Sequence, residues 1–462
     1  MTAPSLGSPE RPLRVAVVGA GPAGFYTVEA LLKRAGPHLD VDLFERLPAP
    51  YGLLRYGVAP DHPKIKGVSV AYDRLCEDAR VRYLGNVAAG SGDLSVDDLV
   101  AHYDQIVFAT GCETDRRLGI DGEDLDGSHS ATAFVGWYNG HPDYTSLAVD
   151  LGTPRAVVVG VGDVAMDLAR ILLRSPDELA TTDIAGHALD VLRRSAVREV
   201  VILARRGPRE AAFAAKELED IAELPGVAVS IDGDLVRSQL AAVDPHCGTE
   251  KHKLEVLAGL AAAPASPSVR RLVIRFLVSP VEIVGDGGRV TSVRIEHNEL
   301  ARDAGGAAIA RGTGHYESIP AGLVVRSVGY RGVAVPGLPF DEKSGTVPNA
   351  DGRVLRGGQV AADLYVAGWI KRGATGVVGT NKGDAASTVA RMLEDAATRA
   401  PKDANGVSRG AIDELLRARG VRVVSWEGWK RIDRRERELG TATGKVREKL
   451  TATADLLAAA GA

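Results

Sequence analysis

The chain has 462 residues, and at this length we expect two or three domains rather than a single core. Hydrophobic residues make up 45% and aromatic residues only 5%, a composition that favours a parallel α/β protein. The 56 lysines and arginines against 60 aspartates and glutamates give a net charge of −4, which excludes a chain-wide attraction to nucleic acid or anionic membranes.

The cysteines and the N-terminus exclude further classes of protein. Cys76, Cys112 and Cys247 form no CxxC pair, which argues against a disulfide framework, a metal site, an iron–sulfur cluster held by cysteines and a redox-active dithiol. The first 14 residues are polar and rich in proline and serine, so we expect a disordered leader without a signal core. Because no apolar run reaches the length of a membrane span, we expect a cytoplasmic protein.

The first predicted unit is a strand, a glycine-rich turn, a helix and a second strand. A β-branched run at Arg14–Val18 leads into GAGPAG at Gly19–Gly24, a helical pattern follows, and the strand VDLF ends at Glu45, 21 residues after Gly24. In a dinucleotide site, Gly19 makes the tight turn, Gly21 admits the pyrophosphate, Gly24 lets helix and strand pack, and Glu45 accepts hydrogen bonds from the ribose. The alternative is a glycine-rich turn that binds nothing.

The chain after Glu45 completes this predicted domain. RLPAPYGLLRYGVAPDHPKIKG is rich in proline and glycine, but its apolar residues predict a packed loop rather than a plain linker. VSVAYDRLCED then has helical spacing and VRYLGNV reads as a strand. We expect QIVFATG (residues 105–111) to be the strand that finishes the nucleotide-binding sheet.

A second unit repeats the design with a different strand end. Arg155–Val159 predicts a strand, GVGDVA (residues 160–165) a phosphate turn, and MDLARILLR a helix, while the strand in Val197–Gly207 ends in Arg205 and Arg206. A carboxylate suits an unmodified ribose and an arginine pair suits a 2′-phosphate, so we expect FAD or NAD at the first site and NADP(H) at the second. The alternative for the arginines is a solvated pair of charges.

The long interval from Gly162 to Arg205 predicts a helical excursion, that is, additional helical segments inserted between the helix and the next strand.

The remaining chain predicts an inserted domain. A helix (AAFAAKELEDIAEL) and the strands RLVIRFLV and VTSVRIEHNEL lead to GLVVRSVGYR, which we expect to return to the first sheet. LYVAGWIKRGATGVVGTNKGDAASTVARML then predicts strand, glycine-rich turn and helix again. We therefore predict an α/β protein with two Rossmann-like dinucleotide-binding domains, the NADP domain (residues 111–323) being inserted between the two parts of the FAD domain (residues 1–110 and 324–462).

Two dinucleotide sites with different residues for binding the ribose indicate electron or hydride transfer between their ligands. Two mobile nicotinamides would make a transhydrogenase, but a fixed flavin fits better, because the third turn, Gly373–Gly379, would place a helix N-terminus against the redox ring. His62 and Glu217 are the distinctive titratable residues. The alternatives are a turn-capping histidine and a solvated helical glutamate. The basic residues within Arg193–Arg209 are either a docking patch for an acidic protein or an ordinary charged surface.

Five segments resemble a known family. They are GAGPAGFY, PYGLLRYGVAPDHPKIK, GVGDVAMDLARILL, ARRGPREAAFAAKEL and GWIKRGATGVVGTNKGDA. Together they closely resemble the adrenodoxin reductase family of NADPH:ferredoxin reductases, in particular its bacterial members, and WEGWKRIDRRERELGTATGKVREKL is similar to that family's C-terminal segment. The resemblance covers nearly the whole chain, and the DHP loop and the GTNKGDA motif are its most specific parts.

The resemblance implies a set of binding residues. FAD contacts are implied at Ala23, Glu45, Leu53, Val87, Trp369, Gly376, Val377 and Val378, and NADPH contacts at Val161, Gly162, Asp163, Val164, Arg205, Arg206, Glu217 and Gly376. Gly160 belongs to the same turn, and His62 and Glu217 match the polar pair that the family places near the nicotinamide. Asp163 departs from the usual asparagine, and a carboxylate beside a pyrophosphate is unfavourable unless it points away or caps the helix.

The implied activity is an FAD-containing, NADPH-dependent ferredoxin reductase without a metal. It would take a hydride from NADPH and pass single electrons to a ferredoxin, with a cytochrome P450 as a possible final consumer. One rival is a flavin monooxygenase, although the chain has no FxGxxxHxxxW-like motif. The other rival is a nucleotide-sensing flavoprotein without turnover. The unusual Asp163 favours this hypothesis.

Overall fold

A computed structural model describes residues 6–244, 247–263, 270–399, 402 and 408–462. The first part of the chain contains β1 (Leu13–Val18), α1 (Pro22–Arg34), β2 (Leu39–Glu45), α2 (Leu53–Tyr56), α3 (Pro63–Lys66), α4 (Ser69–Cys76), β3 (Val81–Gly85), α5 (Val96–His102) and β4 (Gln105–Phe108). The predicted loop after Glu45 is thus packed, as expected, but it contains the single-turn helices α2 and α3.

The middle of the chain alternates strands and helices before a run of strands. It contains β5 (Thr114–Asp115), β6 (Ser128–Ser130), α6 (Ala131–Asn139), β7 (Arg155–Val159), α7 (Asp163–Leu173), α8 (Pro176–Leu179), α9 (Gly186–Arg193), β8 (Glu199–Ala204), α10 (Ala215–Ala222), β9 (Val227–Ile231), α11 (Gly233–Ala241), α12 (Gly248–Ala261), β10 (Arg270–Phe276), β11 (Val278–Asp286), β12 (Arg289–Arg302), β13 (Ala308–Pro320), β14 (Leu323–Arg326) and β15 (Tyr330–Arg331). Helices α8 and α9 are the predicted excursion before β8.

The last part is mainly helical. It contains β16 (Asn349–Ala350), β17 (Arg353–Arg356), β18 (Gln359–Val366), α13 (Trp369–Arg372), α14 (Thr380–Thr398), α15 (Arg409–Ala418), α16 (Trp426–Thr443) and α17 (Thr453–Ala460). Within the residues described above, no helix combines the length and the apolar character that crossing a bilayer requires.

The chain divides into two compact units. Unit 1 comprises Met1–Thr114, Asn139–Pro142 and Gly329–Ala462, and unit 2 comprises Asp115–Tyr138 and Asp143–Val328. Unit 1 therefore takes both ends of the chain, and unit 2 is inserted in its sequence, as the fold prediction requires.

Unit 1 is built on a sheet in the order β16-β17-β18-β4-β1-β2-β3. The strands from β18 to β3 are parallel, while β16 and β17 extend the sheet as an antiparallel edge. Along the buried β1, Val15 and Val17 pack in one hydrophobic cluster and Ala16 and Val18 in another. Both faces of this sheet are therefore covered, as parallel sheets require.

Unit 2 is built on a fully parallel sheet in the order β6-β14-β7-β8-β10-β9. Its neighbour is the antiparallel sheet β11-β12-β13. Val157 and Val159 of β7 share a hydrophobic cluster with Ile283 of β11 and Val293 of β12. The antiparallel sheet therefore packs on one face of the parallel sheet.

Two predictions about strands are wrong. GLVVRSVGYR forms β14, which pairs with β7 and β6 in the second sheet rather than returning to the first. QIVFATG forms β4, which does not finish the first sheet because β18 pairs on its other side. A short apolar run suits any parallel sheet, and only the tertiary fold selects its partners.

The prediction of a disordered leader is wrong for the part that is described. Residues 1–5 lie outside the described residues. The Arg11 side chain is buried and donates to Asp104 at 2.6 and 3.0 Å, and the backbone N–H of Arg14 donates to the same carboxylate at 2.9 Å. This buried ion pair attaches the segment before β1 to the connection between α5 and β4.

Candidate functional site

The first glycine turn joins β1 to α1 in unit 1. Gly19 has φ +106°, and a Cβ atom there would lie 2.6 Å from the carbonyl oxygen of Ala109. A Cβ atom at Gly24 would overlap the carbonyl oxygen of Gly19, whereas one at Gly21 would meet nothing nearer than the Cα of Gly52, at 4.0 Å. Two glycines are thus required by the fold, while Gly21 leaves open the space in which a pyrophosphate would approach the backbone.

The N-terminus of α1 is available to an anion. Gly21 is its N-cap and provides no side-chain cap, Pro22 opens the first turn, and that turn contains no acidic residue. Ala23 is buried at the same end. Backbone N–H groups and the positive end of the helix dipole therefore point to the turn, and the first turn of the helix itself contributes no carboxylate.

Glu45 is fixed beside this turn at the end of β2. Its Oε2 accepts the backbone N–H of Ala20 at 3.0 Å and its Oε1 accepts that of Leu47 at 3.1 Å. Burial raises the pKa of Glu45 to about 7, against the opposing effect of these two hydrogen bonds. The buried Val87 donates its backbone N–H to the Glu45 carbonyl at 2.9 Å. The side chain thus keeps acceptor capacity for a ribose.

The segment Tyr51–Gly52 covers the turn, a contact that the sequence analysis missed. Tyr51 has φ +85°, rare for a residue with a side chain, and its backbone N–H donates to the Ala20 carbonyl at 2.7 Å. A Cβ atom at Gly52 would lie 3.2 Å from the Cα of Gly21. Leu53 follows, half-buried, as the first residue of α2. In the sequence, this contact was indicated only by a glycine, Gly52, next to an aromatic residue.

The third glycine turn lies between α13 and α14, also in unit 1. The Trp369 indole N–H donates to the Thr375 carbonyl at 3.0 Å, and the Val377 N–H donates to Thr380 Oγ1 at 3.1 Å. Val377 is 69% exposed and Val378 is half-buried, so the turn offers Gly376, Val377 and Val378 at the surface of this unit, just before the 19-residue α14.

Asp384 of α14 fixes the start of α13 and was not identified from the sequence. Its Oδ2 accepts the Gly368 N–H at 2.6 Å, and its Oδ1 pairs with Lys371 at 2.9 Å. A Cβ atom at Gly368 would overlap the side chain of Ala23 in α1. The start of α13 is therefore packed directly against the first glycine turn.

The second glycine turn joins β7 to α7 in unit 2. Gly160 has φ +117°, and a Cβ atom there would overlap the carbonyl oxygen of Ser327, whereas one at Gly162 would meet no protein atom within 4 Å. Val161 and Val164 are half-buried beside it. Gly160 is therefore required by the fold, and Gly162, like Gly21 in unit 1, leaves open the approach to the helix N-terminus.

The Asp163 carboxylate has a backbone partner outside its own helix. Asp163 is the first residue of α7, and its Oδ1 accepts the backbone N–H of Ala214 at 2.9 Å. The side chain therefore links α7 to the segment before α10. This interaction accounts for a carboxylate at a helix N-terminus in a turn of this type.

Arg205 and Arg206 lie at the same edge of the sheet as the second turn. Strands β7 and β8 are parallel, with Val159 opposite Leu203, so the arginines and the turn both follow the carboxyl ends. The Arg205 carbonyl accepts the Asn298 side chain at 3.0 Å and the Arg206 carbonyl accepts the Leu277 N–H at 3.1 Å. Their backbones are thus fixed, while Arg205 is exposed and Arg206 half-buried.

The two titratable candidates belong to different units. His62, in unit 1, is the N-cap residue of α3, but its side chain makes no capping hydrogen bond. Glu217, in unit 2, accepts Arg170 Nη1 at 2.7 Å, and Arg170, whose side chain is 1% exposed, also binds Asp167. Neither a turn-capping histidine nor a freely solvated glutamate describes these side chains.

The basic residues within Arg193–Arg209 do not form a single patch. Arg198 precedes β8 and Arg205 follows it, so the length of the strand, roughly 20 Å, separates them. Arg193 pairs with Asp190 at 3.1 Å and Arg209 pairs with Glu250. The clustering in sequence is therefore divided between two edges of the sheet, because an extended strand lies between its halves.

Comparison with known proteins agrees with this arrangement. Residues 13–232 match the family model described as pyridine nucleotide-disulphide oxidoreductase. NADPH-ferredoxin reductase FprA of Mycobacterium tuberculosis is 45% identical, over 97% of this chain and 99% of that protein. The mitochondrial NADPH:adrenodoxin oxidoreductase of Arabidopsis thaliana is 42% identical, over 97% and 96%.

A solved structure extends the similarity to three dimensions. M. tuberculosis FprA in complex with NADPH has a TM-score of 0.91 and 44% identity, covering 98% of this chain and 100% of that one. Full-length similarity at this level extends well beyond the two glycine turns, which many dinucleotide-binding proteins share. The chain therefore belongs to the adrenodoxin reductase-like family of NADPH:ferredoxin reductases, as one of its bacterial members.

Proposed function

We propose that this chain is a ferredoxin–NADP⁺ reductase that binds FAD in unit 1 and NADPH in unit 2. The observation that carries the proposal is the contrast between two like turns, one followed by Glu45 and the other by Arg205 and Arg206. Bound FAD would supply the chemistry that couples hydride transfer from NADPH to the transfer of single electrons to an iron–sulfur protein. The chain's own residues bind and orient the two nucleotides.

The FAD residues are those around the first and third turns. Gly19, Gly21, Ala23 and Gly24 offer the phosphates the start of α1, Glu45 accepts the ribose hydroxyls, and Leu53 adds an apolar contact. Val87 is buried and supports the site through the hydrogen bond from its backbone N–H to the Glu45 carbonyl. Trp369 and Gly376–Val378 hold the ring end, where the N-terminus of α14 favours negative charge. The open space at Gly21 supports a pyrophosphate there.

The binding of FAD should depend on pH through Glu45. Its pKa of about 7 means that the carboxylate form, the better acceptor for ribose hydroxyls, prevails only above neutral pH. Lowering the pH from 8 to 6 is therefore expected to raise the Kd of the apoprotein for FAD, by at most about tenfold. Titration of flavin fluorescence at pH 6, 7 and 8 measures this, and Glu45→Gln should bind weakly with a flat profile. A flat wild-type profile would contradict the role of Glu45.

The NADPH residues follow the second turn. Gly160, Val161, Gly162, Asp163 and Val164 present the start of α7 to the pyrophosphate, and Arg205 and Arg206 bind the 2′-phosphate by charge-assisted hydrogen bonds. We assign His62 and Glu217 to the nicotinamide end as catalytic residues that orient the ring and hold protons. The Arg170 guanidinium keeps Glu217 in one position.

Replacing Asp163 with asparagine is expected to lower the KM for NADPH by about fivefold. Asparagine keeps an acceptor for the Ala214 N–H but removes a negative charge from the phosphate turn, worth about 1 kcal/mol at the surface. Steady-state kinetics at low and high salt measure the effect, which salt should reduce. An unchanged KM would mean that Asp163 points away from the phosphates. A variant that gains catalysis absent from the wild type would instead favour the nucleotide sensor.

The partner we propose is an acidic ferredoxin that meets local basic residues, because the net charge of −4 offers no general attraction. The relatives' names include ferredoxin and adrenodoxin. A cytochrome P450 would be an indirect partner that consumes the electrons. We expect the protein to work in the cytoplasm, where NADPH and reduced ferredoxins are used.

The deciding experiment is cytochrome c reduction by the FAD-loaded protein with NADPH, with and without ferredoxin. We expect a stimulation of at least tenfold by ferredoxin, because single electrons pass through the protein carrier. NADPH oxidation by oxygen alone, with a hydroxylated product, would favour a monooxygenase. Bound FAD and NADPH without turnover would favour a sensor.

A further inference from the structure

Helix α16, the last helix but one, makes a buried ionic contact with the loop that covers the first phosphate turn. Arg55 of α2 and Glu436 of α16 form an ion pair at 2.5 Å, with 4% and 0% of their side chains exposed. Both residues lie in unit 1. An arginine buried at this depth is costly without its counter-charge, so the position of α2 depends on Glu436.

Glu436 is satisfied by several donors from the end of the chain. Arg447 Nη1 donates to its Oε2 at 3.0 Å, and the backbone N–H of Leu450 donates to its Oε1 at 3.0 Å. Lys449, which is buried, donates to the carbonyl of Arg55 at 3.3 Å. The segment after α16 therefore returns to hold both members of the pair.

A second contact between α16 and the loop acts directly on Tyr51. The indole N–H of Trp429 donates to the Tyr51 hydroxyl at 3.1 Å, and the two rings meet edge to face at 5.5 Å. The Tyr51 hydroxyl also binds Asp73 of α4. These contacts hold Tyr51 in its left-handed conformation, which carries Gly52 to the phosphate turn.

We propose that Glu436, with the other α16 contacts, is a positioning residue for FAD. It acts through Arg55 and α2 to keep the Tyr51–Gly52 peptide closed over the Gly19–Gly24 turn. The inference rests on the proposed FAD site in unit 1. It assigns the C-terminal segment a binding role in addition to its packing in the core.

The test compares Glu436→Gln with a matched control, Asp104→Asn. Asp104 is also a buried carboxylate of unit 1 that pairs with a buried arginine, Arg11, and accepts a backbone N–H, but it lies at the opposite end of β1 from the turn. We expect both variants to lower the Tm. Only Glu436→Gln should raise the Kd of the apoprotein for FAD, by at least tenfold, while Asp104→Asn stays within twofold of wild type.

A milder variant keeps the proposal testable if Glu436→Gln does not fold. Trp429→Phe removes the N–H donor to Tyr51 without leaving a buried charge, and it should raise the Kd for FAD about threefold. The inference would be overturned, without affecting the proposed function, if Glu436→Gln lost as much Tm as Asp104→Asn but kept its Kd for FAD. If only Trp429→Phe folds, an unchanged Kd for FAD in that variant would have the same meaning. A folded wild-type apoprotein that does not bind FAD would overturn the proposed function as well.

Discussion

Replacing Arg205 and Arg206 together with glutamine is expected to lower kcat/KM for NADPH by about a hundredfold and that for NADH by less than threefold. Each arginine would lose a charge-assisted hydrogen bond to the 2′-phosphate, worth about 1.5 kcal/mol, and NADH has no such phosphate. Both backbones are held by Asn298 and Leu277, so the side chains can be changed without moving the strand end. Steady-state kinetics with the two coenzymes measure the ratio.

Arg198→Gln is the control for this experiment. Arg198 is exposed like Arg205, but it precedes β8 and donates to the carbonyls of Ser195 and Val197 at the opposite edge of the sheet. It should leave the coenzyme ratio within twofold of wild type. Equal losses with NADPH and NADH in the double variant would rule out the assignment of the 2′-phosphate.

Alanine at Gly21 is expected to release FAD, and alanine at Gly162 to weaken NADPH while FAD stays bound. At each position a Cβ atom has room within the protein, with no atom nearer than 4.0 Å at Gly21 and none within 4 Å at Gly162. The added methyl group fills the space through which a pyrophosphate reaches the backbone. We expect the Kd for FAD to rise at least a hundredfold in Gly21→Ala, and the KM for NADPH at least tenfold in Gly162→Ala.

These two variants serve as controls for each other. Absorbance of bound flavin, the KM for NADPH and thermal unfolding are measured on both. Gly21→Ala should unfold like the wild-type apoprotein, because the substitution fits the fold. If Gly21→Ala kept its FAD, or if Gly162→Ala lost FAD while its NADPH kinetics were unchanged, the assignment of the two turns would be wrong.

The local units of the fold could be predicted because their signals are local. Strand β1, helix α1 and strand β2 follow from a β-branched run, a glycine turn and helical spacing, each within a few residues. The change from Glu45 to Arg205 and Arg206 is likewise visible at the strand ends. The excursion before β8 was predicted from an interval that is too long for one helix and one strand.

Interactions between distant segments could not be predicted in this way. The Arg55–Glu436 pair joins residues 381 positions apart, and Asp384 reaches back 16 residues to Gly368. From the sequence alone, a charged residue in a helical pattern is interpreted as a solvated side chain. Only the folded structure shows the oppositely charged residue with which it pairs. For the same reason, the sequence left open whether the basic residues of Arg193–Arg209 form a docking patch or an ordinary charged surface, and only the structure shows that β8 divides them.

The sequence by itself determined the family, the two glycine turns and the different residues at the strand ends that follow them, because these depend on residue types at short, regular spacings. The tertiary structure alone decided that β14 joins the second sheet and β18 the first, since parallel strands are paired by long-range packing and not by their own residues. It also decided that the Asp163 carboxylate binds the Ala214 N–H, and that Glu436 of α16 pairs with Arg55 of α2. These contacts depend on the meeting of side chains that are remote in the chain, which no local pattern encodes.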